Sequence, residues 1–172
     1  RDGVAVWFAQ TVRSEVRIID YFHSYQSDIT LDIAEISKKP YKFGTMWLPH
    51  DGDYKNYSTG KTPKEIAEAL GFNVQIVPRL AFDSQKTAAR VFFGRCWFDE
   101  EKTADGFDAL ASWHYGYDDK AQINTALPIH DWSSHAGSAF CQMAISQEEE
   151  TVWKKEDRYS RKPKRATSWM AA

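Results

Sequence analysis

Alternating apolar and polar positions open the chain and then give way to helical spacing. Residues 3–10 and 15–22 each show the alternation typical of a β-strand, and the short link between them predicts an antiparallel hairpin. Residues 28–38 carry isoleucines at helical spacing, with Asp28 as the predicted N-cap. The apolar run Met46–Leu48 then has the length and the flanks of a buried strand.

The rest of the body alternates further helices with one short strand. Thr62 and Glu65 have the spacing of a capping box, and proline stands in the first turn, so a helix is predicted to run from Thr62 to Gly71. The other predicted elements are a strand over 74–77 and helices over 83–93, 103–115 and 134–145. This order alone fits many α/β folds. Together with the two motifs described below, it predicts a ribonuclease H-like α/β fold, with a mixed sheet whose antiparallel opening strands are flanked by helices. Because the chain opens at Arg1 without a methionine, we expect the first strand of that fold to lie upstream.

Two corners with the same residue order stand out between these elements. Pro49 ends the strand at Leu48, because proline donates no ladder hydrogen bond, and His50 and Asp51 follow it directly. The segment Pro128–Asp131 repeats the pattern as Pro-Ile-His-Asp. In open α/β sheets, ligands bind in the crevice beyond the ends of the strands. We therefore interpret the two corners as the halves of one acidic, metal-binding site.

The chemistry that suits such a site is phosphodiester cleavage by two Mg²⁺ or Mn²⁺ ions, which need converging oxygen ligands. Asp51 and Asp131 are the predicted catalytic metal ligands, although each is alternatively a turn or helix-cap residue. Asp2 is a third candidate ligand or, equally, a turn residue. His130 is a candidate ligand as well. Like His50, it alternatively orients the neighbouring aspartate or fills core space.

Composition bounds the class of protein without identifying a ligand. A chain of 172 residues, with 42% hydrophobic and 27% charged residues, is typical of one globular domain. The net charge of −2 does not by itself indicate nucleic-acid binding, so such a surface would require local charge segregation. No apolar run approaches the ~20 residues of a membrane span, and we expect neither a span nor secretion. Cys96 and Cys141 lie far apart and are expected to be free thiols in a reducing compartment.

The charge pattern changes after residue 147. Three glutamates, Glu148–Glu150, precede a run of lysines and arginines. Such a segment has too few apolar residues to fold alone. We therefore predict a folded body over residues 1–147 and a basic, mobile tail over residues 148–172.

With both corners in view, the chain resembles the nuclease domain of the large terminase subunit of tailed phages, the DNA-packaging motor. The matching segments are Arg1–Val6, Trp47–Asp51 and Pro128–His135, and the resemblance covers most of the chain. Leu-Pro-His-Asp and His-Asp-x-x-Ser-His are its most specific parts. Within the resemblance, Asp51 matches the second catalytic aspartate of the family, and Asp131 falls in the region of the third acidic position.

The resemblance also has two departures. The family's first catalytic aspartate should stand a few residues before Arg1, outside this sequence. Many relatives carry a carboxylate where this chain has Ser138, which puts the third ligand in doubt and favours Asp131 in that role. Ser138 is kept as a supporting residue together with His50 and with His135, which is expected to bond across to the second corner.

What the resemblance implies is a metal-dependent endonuclease that cuts concatemeric viral DNA at the start and end of genome packaging. The implied cofactor is Mg²⁺ or Mn²⁺ in a two-metal site, and the implied location is the host cell cytoplasm, for a phage or prophage protein. The implied partners are double-stranded DNA, an upstream ATPase domain, the small terminase subunit and the portal protein.

An endonuclease with little base specificity would bind DNA through phosphates. The candidate phosphate ligands, each of which could equally be a solvated surface charge, are Arg79, Lys86, Arg90, Arg95, Lys154, Lys155 and Arg158. Two other functions stay open. One is another ribonuclease H-like nuclease, of the resolvase or integrase type. The other is a catalytically degenerate module that docks DNA or the portal.

Overall fold

The computed structural model describes residues 3–25, 28–55, 60–120 and 122–160. In these residues the chain is a mixed α/β protein with five α-helices and seven β-strands, so the α/β class predicted from the sequence is confirmed. The strands are β1 (Val4–Val12), β2 (Glu15–Ser24), β3 (Thr45–Leu48), β4 (Asn73–Ile76), β5 (Cys96–Phe98), β6 (Tyr115–Asp118) and β7 (Ile123–Pro128). The helices are α1 (Ile29–Ser37), α2 (Pro63–Ala69), α3 (Phe82–Phe93), α4 (Ala104–Ser112) and α5 (Ser134–Ser160), with a short 3₁₀ helix over His50–Asp53.

β1 and β2 form the antiparallel hairpin that their alternating residues predict. The register of this pairing shifts once. Phe8 is paired with Asp20, whereas the next residue, Ala9, is paired with Ile18, so Ile19 is left unpaired as a β-bulge. Because side chains alternate along a strand, one extra residue reverses which members of β2 face a given side of the sheet. In β2, the even-numbered residues before the bulge therefore lie on the same face of the sheet as the odd-numbered residues after it.

The described strands form three sheets rather than one. The first has the order β1-β2-β5, with β5 parallel to β2. The second is the parallel pair β3-β4, and the third is the antiparallel hairpin β6-β7. The sequence predicts one mixed sheet, but within the described residues β3 pairs with β4, and β1 belongs to another sheet. The ribonuclease H-like arrangement is thus not confirmed by the strand pairing.

Local capping signals place the starts of α1 and α2. The Asp28 carboxylate accepts a hydrogen bond from the Thr30 amide at 2.9 Å, as its predicted N-cap role requires. In the predicted capping box, the Thr62 hydroxyl accepts from the Glu65 amide at 3.0 Å, and the Glu65 carboxylate accepts from the Thr62 amide at 2.8 Å. Gly71 follows α2 with a φ of 89°, a left-handed conformation that favours glycine.

Two apolar cores lie on opposite faces of the β1-β2 hairpin. The α5-side core consists of Trp7, Val16, Ile18, Phe92, Ala109, Ala136, Phe140 and Ala144. The α1-side core consists of Ile33, Ile36, Ile66, Ala67, Phe72 and Val74. Trp7 belongs to the first core, while its neighbours Val6 and Phe8 pack against the second, as alternation along β1 requires. The hairpin is therefore the layer shared by both cores.

α5 is the longest helix of the described residues, and it crosses the predicted boundary at residue 147. Its first turns bury Ala136, Phe140 and Ala144 in the α5-side core, and the Trp7 indole N–H donates to the Ala136 carbonyl at 3.1 Å. The predicted end at residue 145 is wrong, because helical backbone continues to Ser160. The mobility predicted for the tail stays a prediction, and residues 161–172 lie outside the described residues. None of the helices in the described part of the chain has the length and apolar composition of a membrane-spanning segment.

A second predicted helix end is also wrong. The helix predicted over 103–115 ends at Ser112, because Trp113 adopts extended backbone and leads the chain into β6. The sequence also fails to predict β5, β6 and β7. β5 has three residues and depends on its pairing with β2, which local sequence does not encode.

Candidate functional site

The second corner lies between β7 and α5. β7 ends at Pro128, and the Ile129 amide then donates to the His114 carbonyl at 2.9 Å, which fixes the chain beside the end of α4. One carboxylate oxygen of Asp131 accepts from both the amide and the hydroxyl of Ser133, at 2.9 and 2.6 Å. Asp131 is thus the carboxylate of the turn that leads into α5, in agreement with the turn alternative considered for it.

These hydrogen bonds set the charge of Asp131. The Ser133 hydroxyl, and after it the Ser133 amide, hold the pKa of the Asp131 carboxyl below its usual range, while partial desolvation opposes the shift. The charge of His114 and the Ser134 amide act in the same direction as Ser133. The Asp131 side chain is therefore a carboxylate at neutral pH, which is the form that metal binding or hydrogen-bond acceptance requires.

A pocket of about 260 Å³ opens beside this turn and is lined by Tyr25, His130, Asp131, Trp132 and His135. The rings of His130 and His135 meet edge to face with centroids 5.3 Å apart, and Tyr25 meets His135 in the same way at 6.4 Å. His135 therefore touches the second corner through ring packing. The His130 ring makes its hydrogen bond with the Ser134 hydroxyl, at 3.1 Å between Nδ1 and Oγ, and that hydroxyl donates to the Asp131 carbonyl at 2.7 Å.

Tyr25 reaches the pocket at the end of a row of rings along β2. The ring of Tyr21 stacks on His23 at 5.7 Å, and His23 meets Tyr25 at 5.9 Å. At the inner end of the row, the ring centroids of Trp7 and Tyr21 lie 4.5 Å apart. Burial is the main reason that the pKa of Tyr21 is raised to about 12. Sequence reasoning missed His23 and Tyr25 as site residues. The signal that could have found them is the spacing of two between Tyr21, His23 and Tyr25.

The first corner lies at the carboxyl end of the parallel pair β3-β4. Leu48 is the last residue of β3, and Pro49 then leads into the 3₁₀ helix that contains His50 and Asp51. Gly52 is buried against Leu48, where an added Cβ would lie 2.7 Å from the Leu48 Cβ, so only glycine fits this tight turn. Asp51 is exposed and His50 half-buried, and the His50 ring contacts Tyr54 edge to face at 6.2 Å.

The helix α5 lies next to an element of each corner. It begins just after Asp131, and it contacts β3, the strand that precedes the 3₁₀ helix with Asp51. The lining of the 260 Å³ pocket, however, includes Asp131 and not Asp51. Among the described residues, no three or more His, Cys, Asp or Glu side chains are grouped as a metal ion would need. Asp2, the third predicted ligand, lies outside the described residues.

The predicted phosphate ligands differ in their surroundings. Arg79 and Arg90 are exposed on the surface. The Lys86 ammonium donates to the Asp83 carboxylate at 2.8 Å and to the Tyr115 hydroxyl at 3.2 Å, and these bonds raise its pKa. A phosphate contact by Lys86 would have to compete with both partners.

The remaining predicted residues lie on other elements. The Arg95 guanidinium donates to the Ser14 carbonyl at 2.8 Å, which ties β5 to the turn of the β1-β2 hairpin. Ser138 is exposed on α5. Lys154, Lys155 and Arg158 fall on the distal part of α5, and their side chains lie outside the described residues.

One buried carboxylate was not foreseen. Asp32 on α1 is fully buried, and neither of its carboxylate oxygens has a hydrogen-bond partner in the described residues. It stands in the first turn of α1, where the positive end of the helix dipole favours a negative charge. This position in the helix therefore offsets part of the free-energy cost of burying the Asp32 carboxylate.

Comparisons with protein-family models, with curated proteins and with solved structures found no match to this chain.

Proposed function

We propose that this chain is a metal-dependent DNA endonuclease of the terminase large-subunit type, which cuts concatemeric viral DNA during genome packaging. The observation that carries the proposal is the contact between α5 and β3. Through it, the helix that starts after His130 and Asp131 lies against the strand that ends before His50 and Asp51. The two corners, which are far apart in sequence, are thereby linked through one contact between a helix and a strand.

The proposed fold is the ribonuclease H-like one. The antiparallel β1-β2 hairpin, the parallel pair β3-β4 and the interposed α1 and α2 support it. β1 and β3 lie in different sheets, yet Val6 and Phe8 of β1 share a core with Met46 and Leu48 of β3. In the proposed fold, a further strand would occupy the place between them.

The proposed cofactor is Mg²⁺ or Mn²⁺, for which the oxygens of Asp51 and Asp131 are suitable ligands. The described residues do not by themselves complete a donor set for two metal ions. What the chain supplies is an Asp131 carboxylate that is ionised at neutral pH and positioned by Ser133. Asp51 adds an exposed acid at the end of β3.

The proposed partners follow from the same hypothesis. They are double-stranded DNA, an ATPase domain upstream in the chain, the small terminase subunit and the portal protein, in the cytoplasm of the host cell. The exposed Arg79 and Arg90 are the phosphate ligands that the geometry leaves most accessible among those with described side chains.

The test is cleavage of supercoiled plasmid in Mn²⁺ by an Asp51→Asn variant. The substitution keeps the shape of the side chain and removes its charge, so we expect cleavage to fall to the protein-free background. Asp53→Asn is the matched control, because Asp53 is an exposed aspartate of the same 3₁₀ helix. Wild-type activity in Asp51→Asn, with native circular dichroism, would refute the role of Asp51.

A degenerate module that docks DNA or the portal is the second candidate. It is favoured by one observation, that an oxygen of Asp131 already accepts two hydrogen bonds from Ser133. Calorimetric titration with Mn²⁺ separates the two candidates, since a docking module would release no heat that depends on Asp51 or Asp131. A resolvase-type enzyme would instead prefer branched to linear DNA in the same cleavage assay.

A further inference from the structure

We propose that the pocket lined by Tyr25, His130, Asp131, Trp132 and His135 is a subsite that stacks one unpaired base of single-stranded DNA. This inference rests on the proposed function, because it names the form of DNA that the same site holds. A base that leaves the duplex beside the cutting site would enter the pocket, and its phosphates would remain outside.

The size and lining of the pocket suit a single aromatic heterocycle. Its volume of about 260 Å³ lies just under the ~300–1,000 Å³ of most small-molecule sites. Tyr25 is 44% exposed and Trp132 is 55% exposed, so two large rings border the pocket with much of their surface uncovered. Exposed aromatic rings of this kind are the platforms on which proteins stack bases of single strands, without regard to sequence.

Three rings of the pocket wall are held by contacts with other rings. Tyr25 contacts both His23 and His135, and His135 contacts His130. On its other side, Tyr25 packs over Gly3, where an added Cβ would lie 3.0 Å from the ring. At Tyr25, a base would therefore find a ring that loses little conformational freedom on binding, which favours affinity.

The experiment uses oligonucleotides that contain one 2-aminopurine, mixed with the full chain in EDTA so that no cleavage occurs. Stacking of the probe in the pocket should quench its fluorescence. Tyr25→Ala and Trp132→Ala should each abolish the quenching and raise the Kd for single-stranded DNA roughly 5- to 150-fold, the range that loss of one stacked base gives. Tyr25→Phe and Trp132→Phe keep a ring and should keep the quenching.

Trp97→Ala is the matched control. Trp97 is 65% exposed, but it lies on β5 beside Arg17, near the turn of the hairpin and away from the Tyr25 end of β2. We expect wild-type quenching and affinity from this variant.

The outcomes separate this inference from the proposed function. Binding of DNA without quenching, or quenching that survives both alanine substitutions, would overturn the subsite and leave the endonuclease proposal standing. Failure to bind any DNA, single- or double-stranded, would overturn both.

Discussion

At the scale of single residues, Asp131 shows how a helix start can prepare a carboxylate for chemistry. Its hydrogen bonds from Ser133 are those of an ordinary turn before a helix, and they also lower the pKa of the carboxyl. The structural and the functional interpretations of Asp131 are therefore compatible. Removing Ser133 should weaken the turn and raise the pKa of the carboxyl together.

Ser133→Ala is expected to raise the pKa of Asp131 towards its ordinary value, because the hydroxyl is the largest cause of the depression. A lowered folded-state pKa adds stability that is present above the unfolded value of about 3.9 and is lost as pH falls through the folded value. The variant should therefore lose less of its remaining stability in that acid range than the wild type. Carbon-13 NMR titration of the Asp131 carboxyl measures the pKa directly.

Ser138→Ala is the control for that titration. Ser138 also lies in the first turns of α5, but it is exposed and does not contribute to the pKa shift of Asp131. An equal change in both variants would mean that the helix start as a whole, and not the Ser133 hydroxyl, sets the charge.

At the scale of elements, the sequence predicts what short-range chemistry determines. The caps at Asp28 and Thr62 could be predicted because each is formed by residues within three positions along the chain. The pocket could not be predicted in the same way, because Tyr25 faces it only after the bulge at Ile19 reverses the alternation of β2. The β6-β7 hairpin was missed for a related reason, since Tyr115 fits the helical spacing of α4 equally well.

The close packing of α5 on Trp113 gives a testable prediction about the elements. Gly137 packs directly on Trp113, and an added Cβ there would overlap the indole ring. Gly137→Ala is expected to lower the free energy of unfolding by about 1–3 kcal/mol, as overpacking of a close contact does. Urea denaturation followed by circular dichroism measures the change.

Gly94→Ala is the matched control for Gly137→Ala. Gly94 has a right-handed φ of −63°, and the nearest atom to an added Cβ is the Val91 carbonyl at 3.7 Å. This variant should keep wild-type stability or gain up to about 1 kcal/mol, because alanine has less conformational entropy than glycine in the unfolded chain. If both variants lost the same stability, the contact of Gly137 with Trp113 would not be the cause.

At the scale of the whole molecule, the β1-β2 hairpin is the structure that both cores need. Trp7 and Ile18 fill the α5-side core, whereas Phe8 and Phe22 cover the α1-side core from the other face. The sequence predicts this layering in outline, because β1 is apolar on both faces. It does not predict which strands pair, because pairing joins residues as distant as Ile18 and Phe98.

A shared layer should make the two cores unfold together. Ile18 and Ile36 are matched probes, 1% and 2% exposed, in the α5-side and α1-side cores respectively. Ile18→Ala and Ile36→Ala should each lower the free energy of unfolding by about 2–5 kcal/mol. Ile123→Ala should change it little, because Ile123 is 61% exposed.

In every variant, tryptophan fluorescence and far-ultraviolet circular dichroism should report one coincident urea transition. A second transition in Ile36→Ala alone would show that the α1-side core is a separate unit that the hairpin does not couple to α5.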